Sequence, residues 1–174
     1  MQRIAILGAS GAGKTVLAWQ LGELFDLPVT HLDQLRYDPA WNLVPEETFT
    51  AAQRALVAAS RWVIDGNSAA SLMIRAARAD TIIVLDLHPL ICLTGILKRR
   101  LRYHGGQHTN GVYDRITPDV IRYVLNYRRT TLPKIQAVIS EHGGHATVLH
   151  LTSRAATRRL LAGLRDARTG RERP

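Results

Sequence analysis

Cysteine and lysine are nearly missing from this sequence. Cys92 is the single thiol in 174 residues, so no disulfide can form within the chain. It stands in the apolar stretch Leu90-Ile91-Cys92-Leu93, where a thiol reads as a buried packing group rather than a nucleophile. No apolar run approaches the roughly 18 residues that a membrane span needs. The run after Met1-Gln2-Arg3 ends at Gly8, too short for a secretory signal, so the expectation is a cytoplasmic protein without a membrane partner. Aromatic residues make up 6% of the chain, which leaves few rings to stack on nucleic-acid bases. Repeats and low-complexity linkers are absent as well. A chain of 174 residues with 46% apolar content therefore suits one domain with a full core, over residues 1–168, followed by a disordered tail at 169–174.

The positive charge is abundant and is carried by arginine. The formal net charge is +9, and Lys14, Lys98 and Lys134 are the only lysines among 23 basic residues. Arginine offers a planar fork of donors that matches phosphate oxygens. Residues 98–129 hold eight basic side chains (98, 99, 100, 102, 115, 122, 128 and 129) against two acidic ones, Asp114 and Asp119. Most of the excess charge thus falls in one segment.

Apolar runs alternate with helical patterns, which predicts an α/β domain with a mainly parallel sheet wrapped by helices. The strands are expected at Arg3–Leu7, Pro28–Leu32, Arg61–Asp65, Thr81–Leu87 and Ala146–Leu151. Helices are expected from Lys14 to Leu24, from Pro45 to about Ser60, after Gly66-Asn67 to about Arg78, and from Pro89 to Gly105-Gly106. Further helices are expected from Thr117-Pro118, with a break or restart at Pro133, and after Ser153, which suits a cap. Residues 33–44 read as irregular, and residues 104–117 as a mobile, glycine-rich loop.

The chemistry is carried by Gly8-Ala9-Ser10-Gly11-Ala12-Gly13-Lys14-Thr15, which fits G-x-x-x-x-G-K-[ST] in full between a predicted strand and a predicted helix. The glycines let the backbone wrap around phosphate oxygens so that several N–H groups face one anion. The helix start adds its positive end. Lys14 supplies a charge to the β- and γ-phosphates, and Thr15 a hydroxyl to magnesium. The cofactors implied are ATP and Mg2+. By average residue frequencies the pattern arises by chance in on the order of one chain in a hundred of this length, and its setting makes chance rarer still.

Ligands in an open α/β sheet gather at the carboxyl ends of the strands. Asp33, Asp65 and Asp86 stand at three such predicted ends. No N-K-x-D or T-K-x-D element marks a guanine site, and Asp86 is followed by Leu87-His88 rather than by the acid of a motor-type ATPase. These features favour a small phosphotransferase.

The ordered set Gly8–Thr15, His31-Leu32-Asp33, Trp62-Val63-Ile64-Asp65-Gly66-Asn67, Arg78-Ala79-Asp80-Thr81, Leu97-Lys98-Arg99-Arg100-Leu101 and Asn126-Tyr127-Arg128-Arg129-Thr130 resembles a known family. It is that of the adenylate-kinase-related proteins labelled DNA topology modulation proteins, and the resemblance runs over residues 2–162. It implies a P-loop NTPase fold with a five-stranded sheet in the order 2-3-1-4-5. It also implies an acceptor-side region at about 33–60 and a lid at about 99–129. The pattern departs after Asn67, where Ser68-Ala69-Ala70-Ser71 stand in place of an aromatic and an arginine.

Within that fold Asp65 either takes a magnesium-bound water beside Thr15 or caps the next helix. Gly66 permits close approach and, with Asn67, belongs to the acceptor side. Asp33 either orients an acceptor hydroxyl or forms a turn. His31, two residues back, is expected on the same strand face, as a packed histidine. Arg36 and Arg75 either grip an acceptor anion or are solvated. Trp41 and Tyr37 either line the acceptor pocket or pack its helix. Arg99, Arg100 and Arg102 open the lid and Arg128 and Arg129 close it, placing positive charge around a moving phosphoryl group. Ser153 and Arg154 follow the fifth strand, where adenine rests in this fold. The leading reading is an ATP- and magnesium-dependent phosphotransferase acting on a nucleotide or another small acceptor. The second is an ATP-binding regulator whose basic segment gives weak, sequence-independent nucleic-acid binding that fades at physiological salt.

Overall fold

A computed structural model describes residues 1–38, 42–103 and 117–171. Five parallel strands form one sheet: β1 (Arg3–Gly8), β2 (Val29–His31), β3 (Trp62–Asp65), β4 (Thr81–Leu85) and β5 (Thr147–Leu151). Their spatial order is β2-β3-β1-β4-β5. The interior strands are continuous runs of aliphatic residues because helices cover both of their faces. Ile4, Ala5, Ile6, Val63, Ile64, Ile82, Ile83 and Val84 are all buried. The register pairs Ile6 with Asp65 and His31 with Asp65, and it pairs Gly8 with Leu85. It therefore brings the ends of β1, β2 and β3 together on one edge.

The helices are α1 (Lys14–Phe25), α2 (Leu32–Arg36), α3 (Glu46–Ala58), α4 (Leu72–Ala76), α5 (Pro89–Tyr103), α6 (Pro118–Thr130), α7 (Leu132–His142) and α8 (Arg154–Arg171). Pro133 lies in the first turn of α7, so it restarts the chain direction rather than kinking a longer helix. Thr117 caps α6 by accepting from the Val120 N–H at 3.3 Å. No helix among the described residues is long and apolar enough to cross a membrane.

Four local expectations need correction. The segment after β2 is not irregular throughout: Leu32–Arg36 forms a helical turn and a half, held because Leu32 is buried under the backbone of Gly66. β4 stops at Leu85, two residues early. α4 ends at Ala76. The expected tail is helical up to Arg171, since α8 continues through Thr169 and Gly170. The glycine-rich core of the lid at 104–116, Trp41 and residues 172–174 lie outside the described residues.

Asp80 ties the opposite end of the sheet. Its Oδ2 accepts from the backbone N–H of Gln2 at 2.8 Å and of Arg3 at 2.9 Å, and its Oδ1 from the Thr81 hydroxyl at 2.8 Å. Partial burial pushes the Asp80 carboxyl up, but these bonds outweigh it and hold the group below its ordinary value of 3.8. A carboxylate depressed in the folded state stabilises at pH above its unfolded pKa and loses that contribution as pH falls through the folded one. Asp80→Ala is therefore expected to cost about 1–3 kcal/mol at neutral pH. The gap to wild type should shrink in strong acid. Urea midpoints at both pH values check this, and a gap that does not change with pH contradicts it.

Candidate active site

The phosphate loop is built by three glycines and by the helix that crosses it. Gly8 has φ 153°, and a Cβ there would stand 2.8 Å from the Leu85 Cβ on the neighbouring strand. At Gly11, with φ 78°, a Cβ would meet the Cys92 carbonyl oxygen at 2.1 Å, and at Gly95 it would meet the Gly11 carbonyl at 2.2 Å. Helix α5 thus lies directly against the loop, and the buried Cys92 is part of that seam. Its thiol faces the Leu87 carbonyl and is pushed up in pKa by burial. Gly13, with φ 97°, caps α1, and no atom stands within 4 Å of where its Cβ would be. No side chain caps that helix and no acid occupies its first turn. Its free N–H groups and positive end are arranged for an anion.

Lys14 turns back to donate to the Ala9 carbonyl at 3.1 Å. Burial lowers the pKa of its ammonium, the carboxylates of Asp65 and Asp33 push it back up, and Arg99 lowers it again. Two acids and one further cation therefore surround the lysine. Thr15 donates its hydroxyl to Asp65 Oδ2 at 3.0 Å. The pairing follows from the sheet, since β3 lies beside β1 and Asp65 ends it one step from the loop. Among the described residues no cluster of three His, Cys, Asp or Glu forms a ready-made metal cage. A hydroxyl and one carboxylate suit magnesium instead, which takes hard oxygen donors and completes its shell from phosphates and water.

Asn67, expected on the acceptor side, is bonded to the phosphate loop. Its Oδ1 accepts from the Gly8 N–H at 2.9 Å, while its Nδ2 donates to the Gly8 carbonyl and to the Tyr123 hydroxyl, the latter at 2.8 Å. One amide side chain thereby fixes both polar groups of the residue where the strand becomes the loop. Tyr123 and Tyr127 of α6 stack edge-on with centroids 5.8 Å apart, which brings α6 against the same point. Asn67→Ala is expected to weaken ATP binding about tenfold, the worth of one or two net hydrogen bonds. Calorimetry checks it, and an unchanged affinity in the folded variant contradicts it.

Several expected site residues have other partners. Asp33 does not end a strand and shares no face with His31. It is exposed in the first turn of α2, while His31 is buried on β2. Its charge is nevertheless felt by Lys14 and by Tyr123. Arg36 donates to Glu46 at 2.6 Å and lies 4.8 Å from the Phe49 ring centroid, so it joins α2 to α3. Arg75 is 0% exposed. It donates to Gln53 at 3.2 Å and to the Gly66 carbonyl at 3.4 Å, and burial pushes it down to about 10 with Asp65 opposing the shift. A guanidinium so enclosed is a brace beneath the Asp65-Gly66 turn and does not reach a surface acceptor. Gly66 itself has φ 135°, and a Cβ there would overlap Leu32.

In the basic segment, Arg128 donates twice to Asp86, to its carboxylate at 2.6 Å and its carbonyl at 2.9 Å. Arg128, expected at the end of the lid, thus packs against the residue that follows β4. Arg99 is half-buried near Lys14, and Arg100 and Arg129 are exposed. Ser153 caps α8 through the Ala156 N–H at 3.1 Å, so its hydroxyl has a structural partner. Arg154 reaches the Ile91 carbonyl at 3.4 Å, beside Gly95.

Sequence reasoning missed that His31 is bonded to Asp65 and that Trp19 is bonded to His31. A usable signal was present: Trp19 is four residues after Thr15, one turn along the same helix face.

No family model matches the chain, and no curated protein matches it. Among solved structures it is similar to the shikimate kinase from Acinetobacter baumannii in complex with shikimate. There the TM-score is 0.58 at 17% identity, covering 100% of this chain and 96% of the other. It is also similar to the shikimate kinase from Bacteroides thetaiotaomicron, with a TM-score of 0.57 at 18% identity, covering 95% and 97%. This is the P-loop kinase fold. At such identities the likeness fixes the architecture and leaves the chemistry to the residues.

Proposed function

We propose that the chain is an ATP-dependent phosphotransferase that uses magnesium and acts on a small acceptor. The observation that carries this reading is the Thr15–Asp65 pair at 3.0 Å, set beside Lys14 at the mouth of a complete phosphate loop. The loop N–H groups and the start of α1 would hold the β- and γ-phosphates, and Lys14 would bridge them. Thr15 and Asp65 would hold magnesium, which when bound neutralises developing charge on the phosphates. Arg99 stands close enough to Lys14 to add positive charge around a transferring group. Asp33, in the first turn of α2 with its charge felt by Lys14, would orient an acceptor hydroxyl. That the two solved neighbours are kinases of a small molecule supports the same class of acceptor.

The test is ADP formation with labelled ATP, magnesium and a panel of nucleoside monophosphates and small hydroxy compounds. Acceptor-stimulated transfer is expected in wild type. Asp33→Asn should lose acceptor stimulation while retaining slow hydrolysis by water. Equal loss of both would remove Asp33 from the acceptor role, and no transfer to any small acceptor would overturn the reading.

A further inference from the structure

We propose that His31 is a positioning residue for the Asp65 carboxylate, locked in one tautomer by Trp19, and that it thereby sets how tightly the site takes magnesium with ATP. The inference rests on the magnesium-ATP reading above and names the device that tunes it.

The hydrogen bonds have a fixed direction. The Trp19 indole N–H can only donate, and it meets His31 Nε2 at 2.7 Å. That nitrogen must therefore offer a lone pair, and the imidazole proton sits on Nδ1. Nδ1 lies 2.7 Å from Asp65 Oδ1, an atom that can only accept while the carboxylate is ionised. Thr15 donates to the other oxygen, Oδ2, at 3.0 Å. The chain runs from Trp19 through His31 to Asp65, with Thr15 approaching from the far side.

The setting makes the relay consequential. His31 is 6% exposed and Asp65 3%, so these bonds work away from water, where hydrogen bonds are stronger and unpaired groups cost more. Trp19 is 45% exposed and closes the relay at the surface of α1. Asp65 has other suitors: both the Lys14 ammonium and the Arg75 guanidinium feel its charge. A carboxylate free to turn would face one of these cations. With Oδ1 held by His31, Oδ2 stays toward Thr15, where the ion would be held. Partners behind a metal-binding group act in this way generally, and their loss costs about 10- to 100-fold in metal affinity.

Two amide variants separate positioning from packing. The Asn side chain of H31N places an N–H where Nδ1–H stands and keeps the donor to Asp65. The longer Gln side chain of H31Q reaches the place of Nε2, keeps an acceptor for Trp19 and leaves Asp65 without its donor. Each removes one hydrogen bond, so a role in packing alone would affect both alike. The readout is ATP affinity by calorimetry with and without magnesium, on proteins shown to be folded by thermal unfolding. The gain on adding magnesium should persist in H31N and fall about tenfold or more in H31Q. In wild type, long-range proton–nitrogen spectra of His31 should show Nδ1 protonated and Nε2 bare, which needs no variant and no activity. Protonation on Nε2 overturns the proposal. So does a magnesium gain that survives in H31Q, or one lost equally in both variants, while wild type keeps it; the nucleotide reading then stands. A wild type that gains nothing from magnesium overturns the nucleotide reading and this inference with it.

Discussion

Lys14→Ala is expected to lower ATP turnover by about 100- to 1,000-fold, the effect of removing one preorganised group that meets developing charge. ATP affinity should fall by a smaller factor, about tenfold or more, as one charge-assisted contact is lost. The fold should be unharmed. The ammonium donates to the carbonyl of Ala9, within its own loop, and burial already opposes its charge. Trimming it relieves that cost, so the unfolding midpoint should stay the same or rise slightly. The measurement pairs steady-state kinetics with a denaturation curve on the same sample. Turnover within a few-fold of wild type in a folded variant would contradict the assignment.

Asp65→Asn carries the second large effect, with a different signature. The substitution keeps the shape of the side chain and removes its charge. The amide keeps one oxygen for the His31 donor, and its NH2 group can donate to the Thr15 hydroxyl, so no oxygen pair is left for a divalent cation. Magnesium-dependent turnover should fall by about 100- to 1,000-fold, the several kcal/mol that a bound metal supplies to charge in the transition state. Metal-free ATP should bind at least as tightly as to wild type. Lys14 and Arg75 lose a neighbouring negative charge, and the loop becomes more positive toward the phosphates. Calorimetry without magnesium together with kinetics over a magnesium series separates these outcomes. A variant that loses metal-free ATP binding along with turnover would show that Asp65 acts on the fold of the loop and not through the ion.

Both variants concern residues that were legible in the sequence, for a physical reason. The phosphate loop is local: glycine spacing, lysine and threonine all lie within eight residues. β1, β3 and β4 are interior parallel strands, whose burial on both faces writes a continuous aliphatic run. The sheet order came from the resemblance to adenylate-kinase-related proteins, and the structure has that order.

What was not legible depends on contacts far apart in the chain. Asn67 and Gly8 are 59 positions apart, and Arg128 and Asp86 are 42 apart. Nothing in the local pattern of either pair announces the other. Arginine is a surface residue by default, so the enclosed Arg75 reads as solvent-facing until Gln53 and Gly66 are seen around it. The count of basic residues between 98 and 129 does not reveal that Arg128 is paired with Asp86 within the fold. α2 was missed since five residues carry too little periodicity, and it is tertiary contacts that hold it: Leu32 beneath Gly66, and Arg36 with Glu46.

Calorimetric titration of ATP into the wild-type protein and into Lys14→Ala, each with and without magnesium, is the most direct test of the nucleotide site. Wild type is expected to bind one ATP per chain, more tightly once magnesium is present, with the affinity falling sharply in the variant. An ATP affinity indifferent to both magnesium and Lys14 would contradict that site.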